Sequence, residues 1–198
     1  MIGKNILTCA SYAIGVLIVL VALIGFLIAK SGLFSVPLFS RFYHGPTPVR
    51  TVNAAPMSVD AFRTLIGARF YADELKEKKT SYTIRVTEHE LTSVIQSVVP
   101  RSQIVIQESG LEFFGRTLSG FVHADVLVRL RPSILDKGIH VEPTEIRVGD
   151  YALPVSFAYQ AVEYFFHTDL HAFNVGLGET RVHDIRLHDG YLEITAAP

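Results

Sequence analysis

The sequence predicts an α+β fold carried on a single membrane-spanning helix. Residues 6–29, "ILTCASYAIGVLIVLVALIGFLIA", contain no charged side chain. Residues 102–150 alternate apolar and polar side chains with the period of two that marks antiparallel strands. Helical periodicity flanks that region, at 88–99 and again at 154–172. The expected architecture is a curled antiparallel sheet packed on two amphipathic helices. Residues 1–5 form a tail, 6–29 a transmembrane anchor, 30–56 a Pro-rich tether and 57–198 the folded domain.

As a helix, residues 6–29 run about 36 Å, enough to cross a hydrocarbon core of about 30 Å with some tilt. A cleaved signal peptide has a shorter apolar region and a small-residue cleavage site. The following "FLIAKSGLF" offers no such site, so the segment reads as an anchor in contact with the bilayer. Lys4 precedes the span, and Lys30 and Arg41 follow it. That count leans to a cytoplasmic domain by one residue, but long domains cross largely regardless of charge. Cys9 is the only cysteine, which excludes an intrachain disulfide and a Cys-based metal cluster. The formal net charge of −1 argues against a nucleic-acid partner, which usually calls for a basic patch.

Pro37, Pro46, Pro48 and Pro56, with Gly45, mark residues 30–56 as a tether. Its aromatics, Phe34, Phe39, Phe42 and Tyr43, suit a membrane–water interface. Ser58 caps a helix with Val59, Phe62, Leu65, Ile66 and Phe70 at helical spacing. Tyr82, Ile84 and Val86 alternate as a strand. Thr87 and Glu90 then form a capping box, and Leu91, Val94, Ile95 and Val98 share a helix face that ends at Pro100. Strands "QIVIQE" and "LEFFGR" flank Ser109-Gly110. In "GFVHADVLVRLRP", Val122, Ala124, Val126, Val128 and Leu130 lie on one side. Phe121, His123, Asp125, Leu127, Arg129 and Arg131 lie on the other, read as a solvated face. Asp189-Gly190 predicts a tight turn between two last strands.

Between these lies "VGDYALPVSFAYQAVEYFFH", residues 148–167. Gly149 and Asp150 read as a turn, and Pro154 suits the first turn of a helix. Val155, Ala158, Tyr159, Val162, Phe165, Phe166 and Phe173 form an apolar stripe, which Phe157, Ala161 and Tyr164 widen past about 100°. Fully burying each large side chain is worth about 1.5–3 kcal/mol, so so wide a stripe calls for a cover. The cover is either the protein's own core or an acyl chain held between helix and sheet.

No catalytic signature is present: no G-x-S-x-G elbow, phosphate loop, dinucleotide fingerprint or H-E-x-x-H. The chain is therefore expected to be no enzyme and to carry no cofactor. His167 and His171, with Glu163 one turn earlier and His183 or His188 beyond, have zinc-compatible spacing. They read instead as the polar end of a helix, where His suits the dipole, and no metal site is expected.

Four segments occur in one order: "YTIRVTEHELTSVI", "GLEFFGRTLSGFVHADVLVRLRP", "KGIHVEPTEIRVGDYALP" and "VHDIRLHDGYLEI". That order, behind a single span, resembles the YpmS-type family of small membrane-anchored bacterial proteins. It is also similar, more distantly, to extracytoplasmic lipid-binding proteins of the LmeA type, whose folds relate to tubular lipid-binding (TULIP) domains. The family commonly has Leu-Asn where this chain has Leu91-Thr92. The resemblance spans residues 81–195 and implies a TULIP-like, extracytoplasmic domain at the cell envelope that binds or shuttles membrane lipid without catalysis. Candidate pocket residues are Leu91, Val94, Ile95, Val98, Phe113, Phe114, Val162, Phe165 and Phe166, with Gly149 and Pro154 shaping the turn. The alternative is a protein-interaction or scaffolding module of an envelope complex with a dry core, marked by an exposed apolar patch.

Overall fold

The structure, a computed structural model, describes residues 2–34, 39–76, 81–119, 122–135, 138–166 and 181–197. It is α+β with antiparallel sheets and one N-terminal apolar helix, α1 (Ile2–Ser31). Within α1, Ile14–Ser31 is long and apolar enough to cross a membrane, and it stands almost clear of the rest of the protein.

The expected single sheet is two. One has five strands in the order β2 (Ser102–Gln107), β3 (Gly110–Ser119), β4 (Val122–Leu135), β5 (Gly138–Val148) and β6 (Tyr151–Leu153). The other has three, in the order β1 (Tyr82–Thr87), β8 (Tyr191–Ala197), β7 (Arg181–His188). The chain's last hairpin thus pairs with β1, not with β6. The register sets Ile84 opposite Ile194 and Val86 opposite Leu192, all four buried. Their apolar face joins Leu111, Phe113, Val126, Val128, Ile146 and Val148 of the larger sheet in one core. No local sequence signal announces a pairing between segments so far apart, whereas each strand's alternation is local and legible.

Helix α2 (Val59–Lys76) precedes β1, and α3 (Glu88–Val98) follows it. The α3 capping box is formed: Glu90 N–H donates to Thr87 Oγ1 (3.3 Å) and Thr87 N–H donates to Glu90 Oε2 (2.9 Å). Helix α3 packs on the free edge of β2, and its polar side chains satisfy that edge. Thr92 Oγ1 accepts from Ile104 N–H (3.0 Å) and donates to Ile104 O (3.1 Å). Gln96 Nε2 donates to Ser102 O (3.0 Å), and Ile106 N–H donates to Glu88 Oε2 (3.2 Å). An unpaired edge invites another chain, so this block protects the sheet.

The polar side of the larger sheet is less wet than its alternation suggests. Gln103, Val105, Glu112 and Leu127 are buried there. Part of the segment expected as a tether lies against the domain and supplies the cover. Val49 N–H donates to Glu112 Oε1 (3.0 Å), Val52 N–H to Gln103 Oε1 (3.1 Å) and Met57 N–H to Ser93 O (2.8 Å). Gln103 Nε2 returns a bond to Arg50 O (2.6 Å). A proline-spaced chain stays extended, so its backbone groups face outward for such pairing.

The helix expected from Pro154 begins later. Pro154 opens a 3₁₀ turn, Val155–Phe157, and α4 runs Ala158–Phe166. Residues 167–172 of the expected helix lie outside the described residues. Ala158 and Val162, one turn apart, enter the core.

Candidate functional site: the joint between the apolar helix and the domain

Helix α1 ends at Gly32, whose φ of 71° and N–H bond to Ala29 O (3.2 Å) turn the chain out of the helix. The chain then comes back against the helix. Phe39 and Phe42 set their rings edge-on to Phe26, with centroids 6.1 and 6.2 Å away. Lys30 Nζ stands 5.7 Å from the Phe26 ring centre, and the Arg41 guanidinium 4.9 Å from that of Phe42.

The last turn of any helix leaves carbonyls without intrahelical partners. Here the β5–β6 turn supplies a donor to one of them, Lys30, and a second to Leu27 just before them. Asp150 N–H donates to Lys30 O (3.2 Å), and the Tyr151 hydroxyl donates to Leu27 O (3.1 Å). Lys30 Nζ lies 3.9 Å from the Asp150 carboxylate. Gly149 makes this approach possible: its φ is 56°, and a Cβ there would run into the Ser31 carbonyl oxygen.

Asp125 ties the joint to the sheet. Its backbone carbonyl accepts from Gly149 N–H (2.9 Å). Its carboxylate accepts from the Tyr43 hydroxyl (2.9 Å) and from Arg116 Nε (2.6 Å). Burial, and then the Asp125 carboxylate, push the Tyr43 hydroxyl well above its ordinary range, so it stays a donor. The hydrogen bond to Asp125 likewise raises the pKa of Arg116. His44 N–H completes the set by donating to Asp150 Oδ1 (3.2 Å).

A second cluster fastens residues 44–57. Arg50 Nη2 donates to Glu88 Oε2 (2.7 Å) and to Ile106 O (2.8 Å), and its Nη1 donates to Asp189 Oδ1 (2.6 Å). These partners, Glu88 first, raise the guanidinium's pKa further. Glu112, nearly fully buried, holds Val49 with one oxygen, while its other lies 3.6 Å from Arg129 Nε.

Of the candidate pocket residues, Ile95, Phe113 and Val162 are buried in one apolar core, and Leu91 packs against it. Val94 is half-buried, and Val98 is exposed. Phe114 follows Phe113 along β3, so it lies on the opposite face of the sheet. Phe165 and Phe166 belong to α4, but their side chains lie outside the described residues. Gly149 and Pro154 both sit in the connection from β5 to α4, with Gly149 also against the helix.

Among the described residues, the polar strand face divides between separate partners. Asp125 serves the joint, Arg129 pairs with Glu145 (2.6 Å), Arg131 is exposed, and the side chain of His123 lies outside the described residues. His167 and His171 lie outside them too. Among the described residues, no three His, Cys, Asp or Glu side chains are grouped to hold a metal.

Sequence reading missed Tyr43, Arg116, Asp125, Asp150 and Tyr151 as one constellation. Tyr43 and Asp125 are 82 positions apart, and no periodicity links them. The available signal was the trio of glycine-bearing turns at "KSGLF", "YHGP" and "VGDY", where a backbone is approached closely. No family model matches the chain, and neither does any curated protein or solved structure.

Proposed function

We propose that the protein is a membrane-anchored, non-enzymatic domain that binds or shuttles lipid at the cell envelope, with its C-terminal domain on the extracytoplasmic side. The observation that carries this reading is the set Val155, Phe157, Ala158 and Val162, which follows the turn joined to α1. Ala158 and Val162 point into the core, while Val155 and Phe157 remain exposed. The segment follows directly on the turn bonded to the end of the apolar helix. Ile95, Phe113 and Val162 belong to one apolar core, the kind of lining an acyl chain requires. The carboxylates of Asp125, buried, and Glu88, half-buried, are engaged in joining elements, which fits a non-catalytic reading.

The test is lipid analysis of the purified full chain by mass spectrometry. A stoichiometric phospholipid should survive exchange into lipid-free detergent. A folded chain that carries none would overturn the reading. Orientation is tested separately by protease access to the domain in intact cells.

One observation favours the alternative, an interaction module of an envelope complex. Ile134 and Leu135 are exposed at the end of β4, beyond the part of that strand paired with β3. Exposed apolar side chains at a hairpin tip suit a protein partner.

A further inference from the structure

One apolar cluster is packed on a turn of α1, and a second follows a few residues after a bond to that turn. Phe42, exposed on its outer side, packs on Phe26. Tyr151 bonds to the carbonyl of the next residue, Leu27, and Val155 follows four positions later. Six residues span at most about 22 Å, which bounds how far the exposed pair Val155 and Phe157 lies from that level.

Residues 26–27 precede the end of the apolar stretch at Ser31 by about 6–8 Å of helix. If α1 spans a bilayer, this turn lies where hydrocarbon meets headgroups. Lys30 and Arg41, each beside an aromatic ring, are placed at the same level to meet lipid phosphates. The β5–β6 turn cannot stand off in water while its hydroxyl and amide bond to Leu27 and Lys30.

We infer that Val155 and Phe157 are seated in the lipid interface of the leaflet from which α1 emerges, so that the bilayer covers the exposed side of the 3₁₀ turn. This rests on the proposed reading of α1 as a membrane anchor, but not on lipid being held inside the domain. The geometry sets a fixed height: the domain does not swing on a tether, because residues 43–44 and 149–151 clamp it to the helix end.

The experiment uses the full chain with Cys9→Ser, reconstituted in vesicles of phosphatidylcholine and phosphatidylglycerol. An environment-sensitive fluorophore is attached at Phe157→Cys, at Val155→Cys or at Leu135→Cys. Circular dichroism checks that each labelled chain is folded. Labels at 155 and 157 should emit at shorter wavelength and be quenched by spin-labelled lipid, while a label at 135 should remain aqueous. Labels at 155 and 157 as aqueous as that at 135 would overturn the seat, and so would equal quenching at all three. Failure of the two readings is distinguishable. A seated Phe157 on a chain that retains no lipid contradicts only the lipid-holding function. An aqueous Phe157 on a chain that retains lipid contradicts only the seat.

Discussion

At Gly149 the backbone is left-handed, and the space a side chain would need is filled by the carbonyl of Ser31. Alanine there costs about 1–2 kcal/mol for the conformation alone, and the collision adds to it. Gly149→Ala should therefore lower the unfolding temperature of the full chain in detergent. Gly67 in α2 is the control, since nothing lies within 4 Å of a Cβ placed there. Gly67→Ala should be neutral or stabilising by about 0.5–1 kcal/mol. Thr92 provides a second residue-level test. Its hydroxyl serves both the N–H and the C=O of Ile104 on the edge of β2. Thr92→Val should cost about 1–3 kcal/mol in urea unfolding, because both groups lose their partner. Thr92→Asn should cost less, because an amide can also donate and accept. Glu90 sets a pH dependence. Burial alone would raise its pKa, but Arg69 and the Thr87 cap outweigh that and hold it below the ordinary 4.5. A folded-state pKa below the unfolded one gives stability that is full above the ordinary carboxylate range and lost as pH falls through the folded value. Wild type should thus lose stability below about pH 4.5 more steeply than Glu90→Gln, as urea titrations across that window will read.

Among the elements, α3 and the strands were legible because their signals are local. Thr87 and Glu90 sit three apart, as the cap requires, and Val126, Val128 and Leu130 of β4 enter the core as their alternation predicts, although Asp125 and Leu127 on its other face are buried as well. The path of residues 44–57 was not legible. Prolines and a glycine predict irregular chain, but they do not say what the chain lies on. That depended on acceptors from distant strands, Glu112 and Gln103. Hydrogen exchange will show the difference between a loose tether and a bonded strap. The amides of Val49 and Val52 should be protected, and Arg50→Met should speed their exchange by freeing the segment from Glu88 and Asp189. The start of α4 was likewise displaced, because Pro154 led into a 3₁₀ turn before the α-helix. Helix α1 yields a prediction of its own. Its terminal carbonyls are part of the domain's hydrogen bonding, so cleavage near residues 29–33 would strip Asp150 and Tyr151 of their acceptors. Intact mass of the protein isolated from membranes should include α1. A mature chain that begins after Ser31 would show that the joint is dispensable.

For the whole molecule, the two sheets enclose one core, and the apolar helix is bolted to its rim through Asp125, Asp150 and Tyr151. Of the candidate pocket residues, those on the inward faces of α3, β3 and α4 met in the core because periodicity sorts side chains by face. Phe114 fell elsewhere because adjacent residues on a strand point apart, and Val98 because Ile95 and Val99, one turn apart, take the core-facing positions at the end of α3. The joint could not be read, since it unites the end of α1, the strap and two turns through tertiary contacts alone. The proposed function predicts that this core, reached beside α4, receives lipid. A phospholipid with a photoreactive group along its acyl chain tests it most directly. After reconstitution, illumination and digestion, label should be found on α3 and β3, around Ile95 and Phe113, as well as on α1 and residues 155–157. Label confined to α1 and residues 155–157 would contradict the claim, leaving a domain that rests on the bilayer without taking lipid inside.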